Sequence, residues 1–189
     1  MATLPIVRLG HPALRTAAEA VEPAAIPDLA PLIDAMVETM RQAAGVGLAA
    51  PQVGEELQLF VYEAAGGEEH AAIPLTVVIN PLITPLPGEL VYDWEGCLSI
   101  PELRGLVPRH PALKLSGLDR DGKAFERHAE GFEARIIQHE FDHLNGIVFL
   151  DRMRDLRSLA YSEELQRYFG SGDESEADAV DEPADAADE

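Results

Sequence analysis

The segment Gln138-His139-Glu140-Phe141-Asp142-His143 constrains this chain more than any other part of it. It contains H-E-x-x-H, and residues four apart lie on one face of an α-helix. His139 and His143 can therefore aim imidazole nitrogens at one metal ion. Glu140 stands beside them, placed to handle the proton of an attacking water. The flanks read as helix: Gly131 opens it, Phe132, Ile136, Ile137, Phe141 and Leu144 give it an apolar side, and Gly146 suits its C-terminal cap. Two histidines on a helix are often no more than a polar face. Catalytic tetrahedral sites usually take three protein ligands plus water, so a third ligand has to come from elsewhere.

With 189 residues the chain fits one domain with a sizeable core. No apolar run of signal-peptide length opens it, and no stretch is long enough to span a bilayer. A single cysteine excludes an intramolecular disulfide and suits a reducing compartment, so cytoplasm is the expected location. Of the formal net charge of −20, nine negative charges fall in Ser171 to Glu189, which has no Lys or Arg, leaving −11 on the remainder. That segment is Asp/Glu/Ala-rich and free of aromatics. It is expected to be a disordered acidic tail (171–189) behind a folded domain (1–170). The body is still acidic, which argues against a direct nucleic-acid ligand.

Pro27 to Ala44 reads as a helix with the stripe Leu29, Leu32, Ile33, Met36, Val37 and Met40, ended by Gly45. Strand-like runs follow at Leu57–Tyr62, Leu75–Asn80 and Glu89–Asp93. Two more, Ala112–Leu118 and Ala124–Ala129, flank the turn Asp119-Arg120-Asp121-Gly122. Gly66 to His70 reads as an exposed loop. Asp155 to Phe169 reads as a last helix, capped by Asp155 or Ser158. Helices and antiparallel strands in separate blocks imply an α+β fold.

Two further motifs stand out. Cys97, in Glu95-Gly96-Cys97-Leu98-Ser99, would by itself read as a buried structural cysteine. Beside a site short of one ligand it becomes the candidate, because a thiolate suits a first-row transition metal that lowers its pKa. Gly45-Val46-Gly47-Leu48-Ala49-Ala50-Pro51-Gln52 has two glycines that allow close backbone approach, and Gln52 offers an amide to a developing oxyanion. Alone it is a loop after a helix.

Taken together, GVGLAAPQ at Gly45–Gln52, EGCLS at Glu95–Ser99 and QHEFDHLNG at Gln138–Gly146 resemble the three signatures of peptide deformylases, in the family's order. The likeness runs from Arg8-Leu9-Gly10-His11-Pro12 to about Tyr168 and is similar to the bacterial type I branch. The resemblance implies antiparallel sheets packed around a central helix carrying H-E-x-x-H. It implies removal of the formyl group from N-formylmethionine of nascent polypeptides. It implies Cys97, His139 and His143 as ligands, usually of Fe(II), with Ni, Co or Zn able to occupy the site. Glu140 would be general base and then acid. Gln52 and the Leu98 backbone N–H would form the oxyanion hole. Backbone near Val46, Gly47 and Gly96 would pair with the peptide. Arg104 and Arg109 sit where relatives place arginines near the site.

Phe132 and Ile136, four apart on the metal helix, should line the methionine pocket with Val46, Leu98 and the stem of Arg135. Many relatives have an aliphatic residue where this chain has Arg135. Relatives also dock transiently at the ribosome through the C-terminal helix, and an acidic tail would oppose contact with RNA. Two other readings fit parts of the pattern. An H-E-x-x-H zinc protease takes a downstream Glu or His as third ligand rather than an upstream Cys. A non-catalytic metal binder would not need Glu140 or Gln52.

Overall fold

The computed structural model describes residues 3–67 and 70–169. In chain order its elements are α1 (Ala30–Gln42), β1 (Gly47–Ala49), β2 (Leu59–Ala64), β3 (Ile73–Pro85), β4 (Val91–Cys97), β5 (Ile100–Arg109), β6 (Ala112–Leu118), β7 (Ala124–Glu130), α2 (Gly131–Leu144), α3 (Phe149–Arg152), β8 (Ala160–Tyr161) and α4 (Ser162–Phe169). The strands form two antiparallel sheets, one ordered β1-β2-β3-β6-β7 and one ordered β4-β5-β8. The α+β architecture expected from the sequence is the one observed.

β2 is buried on both faces, and the period of two along a strand divides its side chains between two cores. Phe60 and Tyr62 join Val78, Leu113 and Leu115 against Ala134, Ile136, Ile137 and Leu144 of α2. Leu59 and Val61 join Val77 and Ile79 against Ile33, Met36, Val37 and Met40 of α1. The stripe read in α1 is thus core. A third cluster, Cys97, Ile100, Val107, Val148 and Phe149, fills the second sheet beside α3. The helix α2 therefore has both a core face and a face toward β4.

Local differences from the sequence reading have physical reasons. Pro23–Leu29 forms a 3-10 helix and α1 starts only at Ala30, because Pro31 is tolerated only in a first turn. Ala44 (φ 52), not Gly45, takes the left-handed position after α1. Gly45 instead makes room for Leu98, whose Cδ1 would lie 2.7 Å from a Cβ there. At the end of α2, Gly146 does cap, with φ 69 and Ile147 N donating to Asp142 O at 3.0 Å. The expected hairpin turn is present, with Asp119 Oδ1 accepting from Asp121 N and Lys123 N at 2.9 Å. The single helix expected over Asp155–Phe169 is instead a 3-10 turn (Leu156–Ser158) capped by Asp155, then β8, then α4. β8 is drawn off by pairing with Leu103 and Arg104 of β5.

The loop read at Gly66–His70 is exposed at Gly66 and Gly67, and residues 68 and 69 lie outside the described residues. So does the acidic tail. Deleting residues 171–189 is expected to change neither the melting temperature nor the activity that the family resemblance implies, because the composition cannot build a core. A clear fall in either would mean that the tail packs on the body.

Candidate metal centre

β4 presents Glu95 and Cys97 on one face, since alternate strand residues point the same way, and both are buried. Leu98 and Ser99 form the turn that follows, closed by pairing of Cys97 with Ile100. The helix α2 presents His139 and His143 one turn apart. The ligating atoms of Cys97, His139 and His143 all lie within 4.8 Å of one another, and Cys97 Sγ is 3.3 Å from His143 Nε2. Tetrahedral metal bonds of about 2.0–2.3 Å place donors roughly 3.5 Å apart, so three donors at this spacing fit one ion. The set of one thiolate and two imidazoles suits a first-row transition metal.

Glu95 organises the surroundings, a part the sequence reading did not assign to it. His139 Nδ1 lies 2.9 Å from Glu95 Oε2. Arg109 donates from Nε to Oε1 at 2.8 Å and from Nη2 to Oε2 at 2.9 Å. Burial alone would push the Glu95 carboxyl up, but the hydrogen bonds from Arg109 and His139 outweigh it and hold the group well below the usual carboxylate range. The Glu95 carboxylate is placed to accept a hydrogen bond from His139 Nδ1, an arrangement that would leave Nε2 to ligate. Burial would lower His139, but hydrogen bonds to Cys97 and Glu95 raise it above its ordinary value. Burial and the neighbouring His139 charge push His143 well below its own.

Glu140 is buried, and its Oε2 is one of three buried side-chain atoms without a hydrogen-bond partner among the described residues, with His110 Nδ1 and His143 Nδ1. Burial, opposed by His139, pushes the Glu140 carboxyl up to about 7. Such a group can take and return a proton near neutral pH. Gly47 is required here: a Cβ on it would overlap the Glu140 carboxylate. Gln52, on the short 3-10 turn Ala50–Val53, accepts at Oε1 from Ala49 N at 2.8 Å. That bond turns its Nε2 toward the centre, 3.4 Å from Cys97 Sγ and 3.3 Å from Ser99 Oγ.

These residues border one open cleft of 640 Å³. Val46, Gly47 and Gln52 stand on one side, Gly96, Cys97, Leu98 and Arg104 on the other, with Phe132, Arg135, Ile136, His139 and Glu140 along α2. Two expectations need qualification. Arg135 borders the cleft, but its guanidinium is turned onto Glu95 and two backbone carbonyls. Arg109 is 5% exposed and committed to Glu95 and Asp142, and it does not border this cleft. Ile136 belongs at once to the cleft and to the α2 core. The sequence reading missed Trp94 and Leu165, which also border the cleft, and His70, which stacks on Phe132 with centroids 4.4 Å apart.

The model of the polypeptide deformylase family matches residues 3–158. Peptide deformylase 2 of Bordetella bronchiseptica is 48% identical over 163 residues, spanning 85% of this chain and 93% of that protein. Peptide deformylase 1 of Nitrosomonas europaea is 44% identical over 168 residues, with the same coverage. Among solved structures, the Met-Ala-Ser-bound class I type b peptide deformylase of Acinetobacter baumannii superposes with a TM-score of 0.76 at 36% identity, over 80% of this chain and 99% of that one. The enzyme of Thermotoga maritima gives 0.74 at 37% identity, over 82% and 100%.

Proposed function

The chain belongs to the peptide deformylase family, and from that premise we propose that it hydrolyses the formamide of N-formylmethionine at the start of nascent polypeptides. The observation that carries this reading is the meeting of Cys97 from β4 with His139 and His143 from α2 beside the unpaired Glu140 carboxylate. Cys97, His139 and His143 would hold the metal. When bound, it supplies Lewis acidity that eases ionisation of water and polarises the formyl oxygen. Glu140 accepts a proton from the attacking water and passes it to the amine nitrogen as the C–N bond breaks, leaving formate and a free N-terminus. The Gln52 amide and the Leu98 N–H donate to the oxygen as it gains charge, so they act on turnover more than on binding.

Backbone groups of Val46, Gly47 and Gly96 pair with the extended peptide, and Arg104, lying over Gly96, faces its downstream part. That a related enzyme is solved with Met-Ala-Ser bound supports a short peptide beginning with methionine as ligand. The methionine side chain enters between Val46, Leu98, Phe132 and Ile136. Replacing Ile136 with Asp is expected to lower kcat/KM for formyl-Met peptides at least tenfold by setting a carboxylate against the thioether. It should also lower the melting temperature, since Ile136 is core as well. A folded variant with unchanged kcat/KM would remove Ile136 from the slot.

The reading makes Fe(II) the native metal, with Ni, Co or Zn able to take the same ligands, and places the enzyme in the cytoplasm on emerging chains. Any contact with the ribosome would be transient, since Glu163 and Glu164 open α4 and disfavour RNA. No helix among the described residues is long and apolar enough to cross a membrane. The test of the metal is exposure to air. The Fe(II) form should lose activity while the Ni(II) form keeps it, because an open position beside a thiolate leaves Fe(II) open to oxygen. Equal decay of both would take iron oxidation out of the account. The test of the reaction is release of a free α-amine from formyl-Met-Ala-Ser against acetyl-Met-Ala-Ser, with only the former expected to react.

A further inference from the structure

We propose that Arg135 is a positioning residue for the metal centre. It clamps Glu95 against His139, and so ties the strand that bears Cys97 to the helix that bears both histidines. The inference rests on the metal reading of Cys97, His139 and His143. Arg135 and His139 are four apart on α2, so both leave one face of the helix. Glu95 and Cys97 are two apart on β4, so both leave one face of the strand. The two pairs converge: Arg135 Nη1 donates to Glu95 Oε1 at 2.8 Å while His139 Nδ1 meets Oε2 at 2.9 Å. The same guanidinium donates to Val107 O at 2.9 Å and Val91 O at 2.8 Å. Those carbonyls belong to β5 and β4, which pair with each other. A slide or rotation of α2 that displaced His139 would break three hydrogen bonds one turn away.

Charge points the same way. Glu95 and Asp142 are both buried carboxylates, and Arg109 is shared between them. Arg152 also reaches Asp142, but its side chain is 45% exposed. Arg135 is the second buried cation, so the two buried arginines match Glu95 and Asp142 in number. A planar fork with several fixed donors is suited to hold a carboxylate and two carbonyls at once, which an ammonium cannot do as fully. Glu95 is thereby fixed in direction, and His139 receives a rigid acceptor.

The test loads wild type, Arg135→Leu and Arg135→Lys with Co(II), and records the thiolate-to-metal absorption band and the rate of metal loss to a chelator. For Arg135→Leu we expect a shifted band and metal loss faster by roughly tenfold or more, as for other residues that orient a metal ligand. Arg135→Lys should restore part of the difference. The melting temperature of each metal-free protein separates positioning from plain stability. If Arg135→Leu melts lower but keeps the wild-type band and release rate, Arg135 only supports the fold and the proposal is overturned. Should Arg135→Leu not fold, Arg135→Gln, which keeps a donor but loses the fork and the charge, decides by the same rates. Wild type that takes up no Co(II) would sink the metal reading, and this inference with it.

Discussion

Replacing Glu140 with Ala is expected to cut deformylation by on the order of 10²–10⁴-fold while the metal stays bound. The carboxylate is buried, lacks a partner at Oε2 and sits between two ligands without being one of the three converging donors. On the proposed mechanism, removing it deletes the proton carrier and leaves the donor set intact. The fold should not suffer, because a buried group with an unsatisfied oxygen costs stability rather than adding it. The expected melting temperature is unchanged or higher. Formate release and metal content measured on the same preparation check both halves. A metal-replete Glu140→Ala protein working near the wild-type rate would assign the proton transfer to another group.

The second large effect is expected for Cys97→Ala. Here metal and activity should disappear together, since two histidines cannot complete a catalytic site. The side chain is small and lies in the third apolar cluster, so the apoprotein should still fold. This variant also separates the rival metal chemistries. A centre built on the two histidines and a downstream Glu or His would keep its metal when Cys97 is lost. Retention of an equimolar metal by Cys97→Ala, measured by elemental analysis, would favour that arrangement over the thiolate one.

Much of this was legible in the sequence, for reasons tied to particular residues. The α2 helix, its apolar side and its Gly146 cap follow from spacing and from one residue that tolerates positive φ. The hairpin β6–β7 follows from alternation around a turn with Asp at its first position. β5 was not legible because Pro101, Pro108 and Gly105 interrupt it, and proline and glycine argue against a strand interior. Its pairing with β4 on one side and with β8 over two residues on the other accommodates them. β4 was read only to Asp93, so Glu95 and Cys97 were not seen to share a face. Once the strand runs to Cys97, the period of two places Glu95 beside the ligand. The bonding of Arg135 could not be read, because it depends on β4 and β5 lying across α2, and no local pattern encodes that contact.

The central claim is that this fold uses the Cys97, His139 and His143 centre to remove a formyl group. Its most direct measurement is formate release from formyl-Met-Ala-Ser by protein purified without oxygen, before metal removal, after it, and after Fe(II) is returned. The account predicts turnover that tracks metal content: present, lost with a chelator, and restored by Fe(II). Turnover that persists after the metal is gone, or a metal-replete protein that releases no formate, would contradict it.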